Sequence, residues 1–177
     1  LNIRDCIINY AITGNSNNGH GIFCRFPEIL NVEDVKVYSP LNSSSYNYYP
    51  LYLSENSDDG IECEIHNVSQ ELIFNGTYEY IPGLIHLAGY LNARIRNISI
   101  NMTERGLSTA RPSNLYIQNS LISLESMRDF SVQDITVNIP RCWRCSASVV
   151  GLYNCYSSNY IPGIEKEVRN ITINLCE

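Results

Sequence analysis

Charge is scarce in this 177-residue chain: Asp, Glu, Lys and Arg together make up 17%, below the roughly 25% of ordinary soluble domains. Basic residues are scarcer still, with 12 Lys and Arg against 18 Asp and Glu and a formal net charge of −6. No basic cluster offers itself to a phosphate backbone, so nucleic acid is not an expected partner. Long apolar runs are missing too, and no stretch approaches the roughly 20 residues of a membrane-spanning helix. Good helix formers are thin among the Ile, Val, Thr, Tyr and Asn, which works against helix anywhere. A 44% apolar share excludes disorder, which requires low hydrophobicity and high net charge. What is plentiful is Asn, 21 copies, and Tyr, 13 copies.

A six-residue pattern recurs six times: apolar, any, Asn/Asp, apolar, any, usually apolar. The copies are Ile3–Ile8, Val32–Val37, Ile65–Gln70, Ile95–Ile100, Val132–Val137 and Val168–Ile173, spaced by 29, 33, 30, 37 and 36 residues. Four are followed directly by Asn, at Asn9, Asn101, Asn138 and Asn174. A longer match aligns Leu84–Leu91 with Leu121–Arg128.

The fourth, sixth and eighth positions of the pattern alternate with polar ones, as in a strand with one buried face. Continued backward, that alternation would bury Arg4, Glu33, His66, Arg96, Gln133 and Arg169 at the second position. Six buried polar or charged groups are too costly, so the chain must bend at the third. That position holds Asp5, Asp34, Asn67, Asn97, Asp134 and Asn170, the non-glycine types that best tolerate a left-handed corner. Each copy therefore reads as strand, tight corner, strand. A unit with one apolar face must stack on its neighbours to bury it.

These copies resemble the right-handed parallel β-helix family, the solenoid of pectate lyases. The resemblance implies an all-β solenoid of about six coils forming a single domain over 1–177, with a corner ladder of stacked amides facing inward. Asp5 and Asp34 would repel across one rung, so that end should be weaker or better solvated. Side loops are expected at Ser39–Pro50, Ser54–Gly60, Glu104–Asn114 and Arg141–Gly163. The competing architecture is an antiparallel β-sandwich, which gives no reason for one corner motif to repeat six times.

Seven cysteines, Cys6, Cys24, Cys63, Cys142, Cys145, Cys155 and Cys176, suit an oxidising compartment and are all disulfide candidates, one at least remaining unpaired within the chain. Six glycosylation sequons agree with a secreted or cell-surface location. Asn42, Asn75 and Asn101 head the glycan bearers, whereas Asn67, Asn97 and Asn170 rank below them because an inward amide ladder could not also carry sugar.

Chemistry is less legible. Gly19-His20-Gly21, Asp58-Asp59 and Arg94-Ile95-Arg96 are similar to fragments of the polygalacturonase site, a β-helix enzyme. Their order is wrong for that family and its upstream Asn-Thr-Asp is absent, so no catalytic residue is assigned. Cys142-Trp143-Arg144-Cys145 has redox spacing but lacks the helix such motifs open. His66 and His86 read as structural, and neither a metal site nor a cofactor is expected. The expected role is an extracellular, glycosylated, non-enzymatic solenoid in a filament or stalk, either a subunit stacking head to tail or a slice of a longer chain. The alternatives are a carbohydrate-binding or carbohydrate-cleaving β-helix, with Tyr46–Tyr52 and Gly19-His20-Gly21 near its groove, and an adhesin or receptor-binding surface domain.

Overall fold

The structure, a computed structural model, describes residues 1–9, 21–25, 28–40, 49–54, 60–74, 78–81, 83–104, 114–140, 145–155 and 166–176. The described residues form strands and turns with no helix. The strands are β1 (Asn2–Arg4), β2 (Ile7–Asn9), β3 (Ile22–Arg25), β4 (Ile29–Pro40), β5 (Leu51–Ser54), β6 (Gly60–Phe74) and β7 (Tyr78–Ile81). They continue as β8 (Ile85–Ala88), β9 (Tyr90–Glu104), β10 (Asn114–Glu125), β11 (Asp129–Pro140), β12 (Cys145–Tyr153) and β13 (Lys166–Cys176).

Every pairing among the described residues is parallel. One sheet runs β1-β4-β6-β9-β11-β13, with β2 also on β4; the other runs β12-β10-β8-β5-β3, with β7 on β10. The chain alternates between the two sheets and returns one rung further on, which makes a parallel β-solenoid. Register follows the repeat: Ile3, Val32, Ile65, Ile95, Val132 and Val168 stand in one column. The Leu84–Leu91 alignment also holds, with Ile85 opposite Ile122 and Leu87 opposite Leu124.

The corners are where the pattern puts them. Asp5, Asp34, Asn67, Asn97, Asp134 and Asn170 all have φ between 51° and 58°. A left-handed residue resets the pleat, which explains why Val32 and Val35, three apart, are both buried. In an unbroken strand they would face opposite sides. The polar second-position residues accordingly stay at least partly in water, with Arg4, Arg96 and Arg169 exposed.

The ladder itself is turned the other way from the expectation. Asn97 donates to Asn67 Oδ1 at 3.1 Å and Asn170 to Asp134 Oδ1 at 2.9 Å, but all these corners are exposed. The elbow angle swings Cβ outward, so the amides stack on the solvent side. A second outer ladder runs from Asn174 to Asn138 at 2.6 Å and from Asn138 to Asn101 at 2.7 Å. Sequence reading missed another corner line closing the second sheet: Gly89 (φ 79°), Ser126 (φ 55°) and Asn154 (φ 51°). Its amides are tied across rungs, Gly89 to the Glu125 carbonyl and Ser126 to the Tyr153 carbonyl, both at 3.0 Å.

Only about three turns enclose a fully buried core, fewer than the six coils expected from six copies. The difference is physical: a rung buries its inward residues only when other rungs lie on both sides. Val32, Val35, Val37, Leu51 and Leu53 are buried completely or nearly so, as are Ile65, Val68, Ile85, Leu87, Ile95, Ile98, Ile100, Ile122 and Leu124. Their counterparts on the last rung, Val168 and Ile173, are 43% and 49% exposed, and on the first rung Ile3 and Ile8 are only partly buried. Gln70 interrupts this apolar column; its Nε2 donates to Ser39 Oγ at 3.1 Å and to the Gly83 carbonyl at 3.5 Å.

All four expected loops are shorter than drawn, with Glu104 ending β9 and Asn114 opening β10. β4 reaches Pro40, so Ser39 is buried strand, and Ser54 closes β5. The segment 141–163 contains a full rung, β12. Its Ser, Ala, Val and Gly residues lack the repeat's corner signature, which hid it.

Candidate functional site

Strand alternation sends Phe23, Tyr52, His86 and Ser123 to the outer face of the second sheet, in one register column that continues to Gly151. Parallel in-register pairing places like positions about 4.8 Å apart, close enough for rings to stack. Phe23 and Tyr52 lie 5.4 Å apart at 18°, and Tyr52 and His86 lie 4.5 Å apart at 22°. The Arg25 guanidinium sits 5.8 Å from the Phe23 ring centre. The ring stack stops where the column turns to Ser123 and Gly151, whose small side chains leave room.

That room is an open cavity of about 580 Å³, lined by Tyr49, Tyr52, His86, Ser123, Glu125, Leu152, Tyr153 and Asn154. Its centre is His86, held from both sides. Nδ1 lies 3.3 Å from Ser123 Oγ and Nε2 lies 3.8 Å from the Glu125 carboxylate. Tyr49 tilts against the same ring, 46° with centroids 5.3 Å apart. Gly83 makes space for Tyr49: a methyl group at Gly83 would overlap the Tyr49 ring. Gly151 does the same beside Ser120, since a methyl there would overlap the Ser120 hydroxyl. Two glycines thus border the cavity, one packed against Tyr49 and the other against Tyr153.

The arrangement supplies aromatic surface, one carboxylate, an amide side chain and phenol groups around a partly enclosed volume. Such a mixture suits a polar ligand with apolar faces. Ser123, His86 and Glu125 also stand in nucleophile–base–acid order. The 3.3 Å and 3.8 Å separations are loose for a working proton relay.

The sequence-derived site residues distribute unevenly. Within the Tyr46–Tyr52 stretch, Tyr49 and Tyr52 do line the cavity. His86, read as structural, stands at its centre. Ser123, Glu125, Leu152, Tyr153 and Asn154 carry no motif and were missed. The one available signal was the match of His86 to Ser123 in the Leu84–Leu91 alignment, which puts both on the same outer column.

Residues 19, 20, 58 and 59 of the polygalacturonase-like fragments lie outside the described residues, as do Asn42, Asn75 and Cys142. Arg94 is not simply solvated; its guanidinium pairs with Asp129 on the next rung at 3.4 Å. Arg96 is exposed in the elbow column, and His66 pairs there with Glu33 at 3.6 Å. Asn101 accepts from Asn138 within the outer ladder.

Of the disulfide candidates, Cys6, Cys24, Cys63 and Cys155 are free thiols. Cys145 and Cys176 belong to β12 and β13, and their side chains lie outside what the structure describes. Cys24 and Cys63 point into the core, so they serve packing first. Burial pushes both thiols up, and Cys24 adds to the effect on Cys63. Among the described residues, no group of three or more His, Cys, Asp and Glu is disposed to hold a metal ion. No described helix is long and apolar enough to cross a membrane. Comparison with protein families, curated proteins and solved structures finds no family model, no curated protein and no solved structure that matches this chain.

Proposed function

We propose that this chain is an extracellular, non-enzymatic solenoid that binds carbohydrate in the cavity on the outer face of its second sheet. The observation that carries the reading is the cavity around His86, where stacked aromatic rings end beside a carboxylate and an amide. Sugars present axial C–H faces that pack on rings and hydroxyl groups that need donors and acceptors close by. The stack of rungs makes the sheet a stiff support, which lowers the ordering cost of binding. The loose Ser123–His86–Glu125 geometry favours binding over cleavage.

The test is a screen of immobilised glycans with the whole chain, repeated with Tyr52→Ala. Binding of at least one glycan class, weakened about tenfold or more in the variant, is the expected result. A variant that binds as well as the parent would remove the cavity from the account.

A second reading, the structural one, rests on a different observation. The last rung exposes residues that inner rungs bury, Val168 and Ile173 among them, and the first rung leaves Ile3 and Ile8 half-buried. These faces call for another rung on top, and head-to-tail stacking of copies in a filament or stalk would supply it. Light scattering across a concentration series distinguishes this from dispersed monomer. Surface glycans on the sequon asparagines and an adhesin-type use of the cavity are both compatible with the first reading.

A further inference from the structure

Resting on the carbohydrate reading, we infer that the cavity selects neutral sugars and disfavours uronates, the opposite of what resemblance to pectin-acting solenoids would suggest. The inference comes from the sign of charge at the site. Among the described lining residues, Glu125 is the one carboxylate, and neither Lys nor Arg contributes. The Arg25 guanidinium stands over Phe23, at the β3 end of the aromatic column, with Tyr52 between Phe23 and His86. Arg94 is committed to Asp129.

His86 does not change the balance. As a neutral ring it offers one N–H and one lone pair, already directed at Glu125 and Ser123. As an imidazolium its charge faces the Glu125 carboxylate 3.8 Å away, which leaves no surplus positive charge for a ligand carboxylate. A net charge of −6 on the whole chain adds a weaker repulsion of the same sign. A uronate would therefore meet no counter-ion among the described lining residues and would lie close to a like charge in a partly desolvated cavity, an unfavourable arrangement. A neutral hexose meets the opposite situation: its hydroxyl groups donate to Glu125, while the rings of Tyr52 and Tyr49 take its C–H face.

Isothermal titration of the full chain with neutral oligosaccharides and with oligogalacturonates of equal length tests this directly. The neutral series should bind at least about tenfold more tightly, and the gap should shrink on adding salt. Glu125→Gln keeps the shape and removes the charge, so the neutral-to-uronate ratio should fall by about threefold or more. The side chain is about half exposed, and its loss of charge leaves the core untouched. Uronates binding as tightly as neutral sugars, or a ratio unmoved by Glu125→Gln, would overturn the inference while sparing the carbohydrate reading. Absence of binding by either series would overturn both.

Discussion

At the scale of single residues, the decisive feature is the left-handed elbow. Six Asn or Asp residues adopt φ near 55°, a conformation that costs most side chains about 1 kcal/mol or more. Asn and Asp lower that cost by local hydrogen bonding, and here a cross-rung amide bond adds to it. Asn97, bonded to Asn67, is the test position. Asn97→Gly keeps the backbone geometry and loses the bond, so it should cost under about 1 kcal/mol. Asn97→Val places a β-branched side chain in the elbow and should cost about 1–3 kcal/mol. Urea unfolding of the parent and both variants gives the order, and a valine variant as stable as the glycine one would contradict the elbow account. These corners were legible in the sequence because Asn and Asp, beside glycine, are the residues that best tolerate that backbone. Their outward direction was not, because a period-2 argument fixes where a strand bends without fixing which way the bend opens.

Cys63 offers a second residue-scale test. It is fully buried, and burial raises its thiol pKa strongly above that of the unfolded chain, about 8.5. A raised folded pKa means the unfolded chain ionises first. Stability is therefore level below pH 8 or so and falls as the pH climbs beyond the unfolded value. The slope contributed by one thiol is at most about 1.4 kcal/mol per pH unit. Cys63→Val, apolar and non-ionisable, should flatten the alkaline limb of the denaturation midpoint against pH.

At the scale of elements, each rung is an ordinary strand made unusual by its neighbours. β5, β8 and β10 bury Leu51, Leu53, Ile85, Leu87, Ile122 and Leu124 inward, and the same alternation sends Tyr52, His86 and Ser123 outward. The cavity is a consequence of that alternation and of small residues at Ser123 and Gly151. Gly83 then controls Tyr49 from a neighbouring turn. Gly83→Ala should push the Tyr49 ring out of place and weaken ligand binding about tenfold or more, with unfolding free energy lowered by about 1–3 kcal/mol. Far-UV circular dichroism should stay unchanged, which separates a misplaced ring from a lost fold. A quarter of this site was readable: of the eight described lining residues, Tyr49 and Tyr52 stood out within the Tyr-rich run. Glu125, Tyr153 and Asn154 did not, because nothing in their local sequence departs from an ordinary strand end.

At the scale of the molecule, stability is graded along the solenoid axis. Interior rungs have neighbours on both sides, whereas β1, β2 and β3 at one end and β12 and β13 at the other have one. Nearest-neighbour packing makes the total a sum of rung and junction contributions. Hydrogen exchange should reflect this, with amides of β6, β9 and β11 protected longest and those of β1, β2 and the far edge of β13 exchanging first. Uniform protection over all rungs would show that the outer faces are covered in solution, the result expected of end-to-end assembly.

The amino-acid order alone determined that the chain bends at six Asn or Asp positions and that the strands flanking them stack in register. Corner tolerance and side-chain alternation are local rules, and a repeat states them six times over. Tertiary structure decided everything that depends on which rung lies beside which. It fixed the direction of the amide ladders, the number of turns with a sealed interior, and the meeting of Tyr49, His86, Ser123 and Glu125 around one cavity. Those residues are separated by up to 76 positions in the chain, from Tyr49 to Glu125. They become neighbours only because each turn of the solenoid advances the next strand by a single hydrogen-bonded spacing.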